Sequence, residues 1–117
     1  MSFSEHPSIK EILPRLKEGM IDFIVPGDTG YTEKEVDTCL QMLAVYLQAM
    51  EASSSKEEGM KIVEQTVLAL NDLNEKCEHE LIETEQREDI AEIIILAGSL
   101  KGYNDVDDDI TEDWRDW

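Results

Sequence analysis

Basic residues are scarce in this chain of 117 residues, which has 10 Lys and Arg side chains against 28 Asp and Glu. The resulting formal net charge of −18 creates an acidic field that repels nucleic acids and anionic lipid head groups. The composition therefore excludes nucleic-acid binding and predicts no membrane partner. It favours basic proteins or divalent cations as ligands.

Long uncharged segments are also missing. The longest, residues 38–50, has 13 residues, whereas a transmembrane helix needs roughly 20. Charged residues interrupt the first 25 positions, so no secretory signal is recognisable. Only two cysteines occur, Cys39 and Cys77, both at helical positions, and we expect reduced, partly buried thiols in a cytoplasmic protein.

Residue sets for catalysis are not apparent. The two histidines, His6 and His79, lie outside any nucleophile motif. The turn at residues 27–30 lacks the lysine of a phosphate-binding loop, and its Asp28 would repel a phosphate. Cys77 and His79 are two positions apart on a predicted helix and so point to different faces, which disfavours a shared zinc ion. We therefore predict no enzymatic activity, no metal site and no cofactor.

Helical periodicity extends over most of the chain. Apolar residues recur three and four positions apart in four segments, and no strand pattern or repeat is visible. Pro14 lies inside the first segment, where we expect a kink or a restart, and residues 26–30 form a loop. The predicted fold is an all-α, compact antiparallel bundle of four to five helices with an acidic C-terminal tail.

Capping signals predict where two of the helices begin. Thr32 with Glu35, and Ser55 with Glu58, both match the capping box, in which a hydroxyl and a carboxylate satisfy free backbone donors. We expect the second helix to end near residue 52 and the third to continue to residue 77 or 82.

The fourth predicted helix changes character along its length. Thr84 is its candidate N-cap, and Gly102 is its candidate C′ residue, just beyond the helix end. After Glu92 the segment is apolar on every side, so we expect this half to be central in the bundle or to form a homodimer interface. Its first half carries a cluster of acids that consists of Glu85, Glu88, Asp89 and Glu92.

This cluster of acids suggests alternative functions. Helical carboxylates hold magnesium in some all-α nucleotide pyrophosphohydrolases, so a Mg-dependent nucleotide phosphohydrolase is one alternative. Such an enzyme needs a second pair of acids, and the candidate pair Glu57 and Glu58 is followed by Lys61 where another acid is wanted. A solvated outer face explains the cluster without a metal. A homodimeric structural or assembly protein is the remaining alternative.

The tail, residues 103–117, holds seven acids, one arginine and both tryptophans of the chain. Like charges at this density disfavour compaction, whereas tryptophan favours burial. We therefore divide the chain into a helical bundle domain, residues 1–102, and an acidic aromatic tail that docks on the same domain. The two indoles either cap the core or contact a partner.

The tail also resembles a calcium-binding loop in part. Asp105, Asp107 and Asp109 alternate like the first ligands of an EF-hand. Ile110 stands where the sharp turn requires glycine, and Asp116 stands where the bidentate glutamate belongs. We therefore predict no functional calcium site.

We predict a non-enzymatic acidic binding protein that recognises a basic protein partner, such as a toxin-neutralising immunity protein or a nuclease inhibitor. In size, charge and helical class the chain resembles small acidic bacterial proteins that neutralise basic toxins or nucleases. Carboxylates would cover a cationic site that normally binds phosphates. The predicted partner-binding residues are Asp105, Asp107, Asp108, Asp109, Glu112, Asp113, Trp114 and Trp117.

Salt is expected to stabilise this protein. At a net charge of −18 the folded state opposes its own repulsion, and added ions screen that repulsion. The melting temperature should rise between about 10 mM salt, where the screening length is ~30 Å, and about 1 M, where it is ~3 Å. A melting temperature that is the same at both ends of this range would show that the charges are too dispersed to matter.

Overall fold

The computed structural model describes residues 2–117, which form four α-helices after a short 3-10 turn at Phe3–Glu5. No strand occurs in this part of the chain, so the all-α prediction is confirmed. None of its helices is long and apolar enough to cross a lipid bilayer. The helices are α1 (Pro7–Asp22), α2 (Glu33–Ala52), α3 (Lys56–Lys76) and α4 (Thr84–Leu100).

Helices α1 and α2 run antiparallel. The hydroxyl of Tyr31, just before α2, donates to the carbonyl of Met20 near the end of α1 at 2.6 Å. At the other end of the pair, the N–H of Phe3 donates to the carboxylate of Glu51 at 2.9 Å. The start of each helix therefore lies beside the end of the other.

Helix α4 packs against both α1 and α2. Arg15 of α1 pairs with Asp89 of α4 at 2.7 Å, and Gly19, one turn later in α1, lies against Gln86, one turn earlier in α4. Helices α1 and α4 are therefore antiparallel. Helix α3 packs along α2, so the predicted antiparallel bundle is confirmed with four helices.

The core is formed by one apolar stripe from each helix. Tyr46 lies within it, 1% exposed, and its hydroxyl donates to the carbonyl of Ile94 at 2.7 Å, which satisfies a polar group that would otherwise be buried without a partner. The second half of α4 is buried on one side only, because Ile95 and Leu96 are partly buried and Leu100 is exposed, so it is not enclosed on every side as its sequence suggested. The stripes contain Ile9, Ile12, Leu16 and Met20 of α1, Val36, Leu43, Leu47 and Met50 of α2, Val63, Val67 and Leu70 of α3, and Ile90, Ile93, Ile94 and Ala97 of α4.

Pro14 does not divide α1. The helix continues through it from Pro7 to Asp22, so the expected restart was wrong. Pro14 is exposed, and its ring therefore does not disturb the buried stripe of α1. The loss of one backbone hydrogen bond on the solvent side is tolerated when packing holds both halves of the helix.

The N-termini of α2 and α3 differ in how fully they are capped. At α2 the capping box is complete, because the N–H of Thr32 donates to Glu35 at 2.8 Å and the Thr32 hydroxyl accepts from the backbone. At α3 the Ser55 hydroxyl accepts from the N–H of Glu58 at 3.2 Å, but no reciprocal bond from the Glu58 side chain forms within residues 2–117. The second box is therefore only half formed.

The connection from α3 to α4 departs from the expected helix ends. Helix α3 ends at Lys76, because Glu78 and His79 both adopt φ near +60°, a left-handed conformation that ends a helix. His79 is thus in a turn, not on a helix. Thr84 is the first residue of α4 rather than its cap, and no side chain within the described residues caps this helix.

Truncation of Ile94 should destabilise the bundle. This side chain is fully buried, so Ile94→Ala leaves a cavity and should lower the free energy of unfolding by about 2–4 kcal/mol in denaturant titrations. Leu100→Ala is the matched control in the same helix, because Leu100 is 41% exposed. A loss below about 1 kcal/mol for Ile94→Ala would contradict the placement of Ile94 in the core.

Candidate functional site

A glycine turn directs the tail back onto the bundle. After α4, Gly102 adopts φ +77°, its N–H donates to Ser99 at 2.9 Å, and the N–H of Tyr103 donates to Gly98 at 3.0 Å. These two bonds form the Schellman motif, in which a left-handed residue satisfies the last carbonyls of a helix. Gly102 is thereby confirmed as the C′ residue.

The first tail residues lie on small residues of both α3 and α4. The ring of Tyr103 rests on Gly59, where a Cβ would come within 2.5 Å of the ring, and its hydroxyl lies 2.8 Å from that of Ser53. Asn104 lies on Gly98 in the same way, and a Cβ there would overlap its side chain. Glycine is needed at both positions because the tail approaches each helix so closely.

Asn71 of α3 holds the end of the tail. Its Nδ2 donates to the carbonyl of Trp114 at 2.7 Å, and its Oδ1 accepts from the N–H of Asp116 at 3.1 Å. Trp114 and Trp117 are partly buried and pack against the core. Sequence reasoning missed Asn71, although a polar residue next to Leu70 in the apolar stripe of α3 is a signal that it bonds to buried backbone.

Asp109 organises the middle of the tail rather than facing solvent alone. Its carboxylate accepts from the N–H and the hydroxyl of the fully buried Thr111 and pairs with Arg115 at 2.9 Å. Partial burial raises the pKa of Asp109, but the hydrogen bonds from Thr111 and Arg115 outweigh it, so the net shift is downward. The single arginine of the tail is therefore used internally.

The predicted partner-binding residues thus fall into different environments. The two tryptophans face the core, and Asp109 is bonded within the tail. The other acids are on the surface, where the only hydrogen bond to one of their carboxylates within residues 2–117 is from the N–H of Asp105 to Asp108 at 3.1 Å. These exposed acids are Asp105, Asp107, Asp108, Glu112 and Asp113.

The carboxylates of α4 continue this exposed charge. Glu88 and Glu92 line a shallow hollow of about 400 Å³ together with Val106 of the tail, so the part of the tail around Val106 lies beside these carboxylates. We call Asp105, Asp107, Asp108, Glu112 and Asp113 together with Glu88 and Glu92 the acidic face. The neighbouring Asp89 is partly withdrawn from it, because Arg15 pairs with it at 2.7 Å.

No cluster of potential metal ligands occurs in the described residues. Within residues 2–117, no three His, Cys, Asp or Glu side chains lie close enough together to hold a metal ion. The carboxylates predicted as an alternative magnesium site all belong to a single helix, and one of them, Asp89, pairs with Arg15.

A larger concavity lies elsewhere. A groove of about 940 Å³ runs between α2 and α3, and Met42, Val45, Ala49 and Ile62 give it an apolar wall. None of the predicted site residues lies there.

Both cysteines are free and buried. Burial, with a smaller contribution from Cys77, raises the pKa of the Cys39 thiol to about 12, so this thiol is protonated and unreactive near neutral pH.

Removal of residues 112–117 should destabilise the whole domain. The truncation deletes both partly buried indoles and the backbone groups that Asn71 holds, so the free energy of unfolding should fall by about 2–5 kcal/mol. Val106→Ala is the control within the same tail, since Val106 is 63% exposed and should change stability by less than about 0.5 kcal/mol. Denaturant melts of the two variants that agree with the parent would show that the tail does not support the bundle.

Comparison with known proteins assigns no family to the chain. No family model, no curated protein and no solved structure matches it. The function proposed below therefore depends on the chain's own residues.

Proposed function

We propose that this protein is a non-enzymatic inhibitor that binds a basic protein partner through the acidic face, as a toxin-neutralising immunity protein or a nuclease inhibitor does. The observation that carries the proposal is the imbalance of charge on this face. Its carboxylates are exposed, and Arg15 and Arg115 pair closely with Asp89 and Asp109, at 2.7 and 2.9 Å, while the contact of Arg15 with Glu92 of this face is longer, at 3.9 Å.

Exposed carboxylates suit a partner that normally binds phosphates. They present negative oxygens that a cationic groove can accept in place of phosphate oxygens, so binding would block the groove. Long-range attraction raises the association rate more than the final affinity, and it weakens with salt. The two indoles contribute indirectly in this proposal, because they pack against the core and so hold the tail in place.

The test begins with the partner. Immobilised protein, incubated with lysate of its own host, should retain a basic protein that elutes as salt is raised, and mass spectrometry identifies it. Stopped-flow measurements with that purified partner then give the association rate constant for the parent and for the variant Asp107→Asn/Glu112→Gln/Asp113→Asn. These three side chains are exposed and pair with no cation within residues 2–117, so the substitutions remove charge with little effect on folding.

We expect the tail variant to associate about tenfold more slowly and to show a flatter dependence on salt, with the dissociation rate changed by less than about twofold. The control Glu33→Gln/Glu57→Gln/Glu75→Gln removes the same number of charges from exposed helix positions that are not part of the acidic face. It should slow association by a smaller factor. Capture of no basic protein, or binding that persists unchanged at high salt, would overturn the proposal.

A further inference from the structure

A cleft between α1 and α4 adjoins the acidic face and was not singled out by the sequence. It consists of two neighbouring hollows of about 410 and 520 Å³, which share Glu85 and Gln86 as a common wall. Glu88 belongs both to the first hollow and to the acidic face, so the two regions are continuous. We call the two hollows together the α1–α4 cleft.

The walls of this cleft are strongly acidic. Seven carboxylates and one arginine line the two hollows, and the arginine, Arg15, already pairs with Asp89 at 2.7 Å. Among the remaining acids, Glu18 and Asp22 come from α1 and Glu85 and Glu88 from α4, so carboxylates face the first hollow from both sides. A cation that enters the cleft therefore meets negative charge on two walls.

Gln86 provides the second and independent observation. Its side chain is 2% exposed, and its Oε1 is buried without a hydrogen-bond partner among residues 2–117. Its amide lies in the cleft wall against Gly19, which also lines the first hollow. A buried acceptor without a partner is unfavourable, and native structures usually supply a donor for it. An N–H or O–H donor would satisfy this oxygen.

An aromatic ring lies at the edge of the second hollow. Phe23 is 55% exposed and lines this hollow together with Glu83 and Glu85. A guanidinium group stacks on an aromatic face and also donates up to five hydrogen bonds in one plane. An ammonium group is more strongly hydrated and lacks this planar fork. The combination of carboxylates, an unsatisfied amide oxygen and an exposed ring therefore fits arginine better than lysine.

We propose that the α1–α4 cleft binds an arginine side chain of the basic partner, with Gln86 and the surrounding carboxylates accepting its N–H groups and Phe23 stacking on it. This inference rests on the proposed function, since it names the residue of the partner that is held after the acidic face has attracted it. The carboxylates of the tail raise the rate at which the partner associates, whereas the cleft holds one arginine side chain of the bound partner through hydrogen bonds.

The test uses two fluorescent peptides of equal length and charge, an oligoarginine and an oligolysine, and measures their binding by anisotropy. The parent should bind oligoarginine about tenfold more tightly than oligolysine, which corresponds to one hydrogen bond to a charged group. Gln86→Met keeps the approximate volume of the side chain and removes the carbonyl oxygen and the NH2 of its amide. It should melt at or above the temperature of the parent and reduce the preference for arginine to about twofold or less.

A charge-matched pair of variants separates the cleft from the tail. Glu85→Gln/Glu88→Gln should weaken oligoarginine more than oligolysine and so diminish the preference. Glu112→Gln/Asp113→Asn removes the same charge from the tail and should weaken both peptides by the same factor. In NMR spectra of the parent, the side-chain amide of Gln86 should shift with oligoarginine and not with oligolysine.

Two results would overturn this inference. Equal affinity of the parent for both peptides would do so, as would an arginine preference that survives Gln86→Met. If the partner captured from lysate still binds with strong salt dependence in either case, the proposed function stands and only the cleft assignment fails. If no salt-sensitive basic partner is found, the proposed function fails as well.

Discussion

The packing of the tail against α3 and α4 is the interaction on which the arrangement of this surface depends. Tyr103 and Asn104 lie on two glycines, and Asn71 bonds to the backbone on either side of Trp114 and Asp116. With Tyr103, Trp114 and Trp117 packed against the core, the carboxylates of the tail face solvent. The same contacts that complete the core therefore expose the acids.

This arrangement places like charges close together, and their electrostatic repulsion opposes folding. Part of the acidic tail lies beside Glu88 and Glu92 of α4, and few cations are close enough to compensate these acids. Two arginines limit the cost locally, since Arg15 pairs with Asp89 and Arg115 with Asp109. The remaining charge is not needed for folding, because burial of the four apolar stripes supplies the main stabilisation. A role in binding gives a physical reason for carrying it.

The helices were predictable because their signals are local. Apolar spacing identified the four stripes, the pair Thr32 and Glu35 identified the start of α2, and Gly102 identified the end of α4. Pro14 was misinterpreted because the effect of a proline depends on whether its side of the helix faces solvent, and a local pattern does not contain that information. The left-handed residues Glu78 and His79 were missed because neither is glycine, the residue that usually marks this conformation in a sequence.

The candidate site was predictable only in part. Charge density identified the acids of the tail, but their division into exposed groups and the internally bonded Asp109 depends on Thr111 and Arg115 being folded around it. Asn71 lies four positions after Val67 and Gln86 four positions before Ile90, so spacing places both on apolar stripes without showing which groups they contact. Their importance comes from burial among residues distant in sequence, which periodicity does not report.

The position of both tryptophans in the tail provides a direct measurement of whether the tail and the bundle form one cooperative unit. Intrinsic fluorescence reports the environment of Trp114 and Trp117, whereas far-ultraviolet circular dichroism reports the helices. In a denaturant titration followed by both signals, we expect the two transitions to coincide, as they do for a single cooperative unit. A fluorescence transition at clearly lower denaturant concentration, with the helices still intact, would show that the tail is a separate segment that only rests on the bundle.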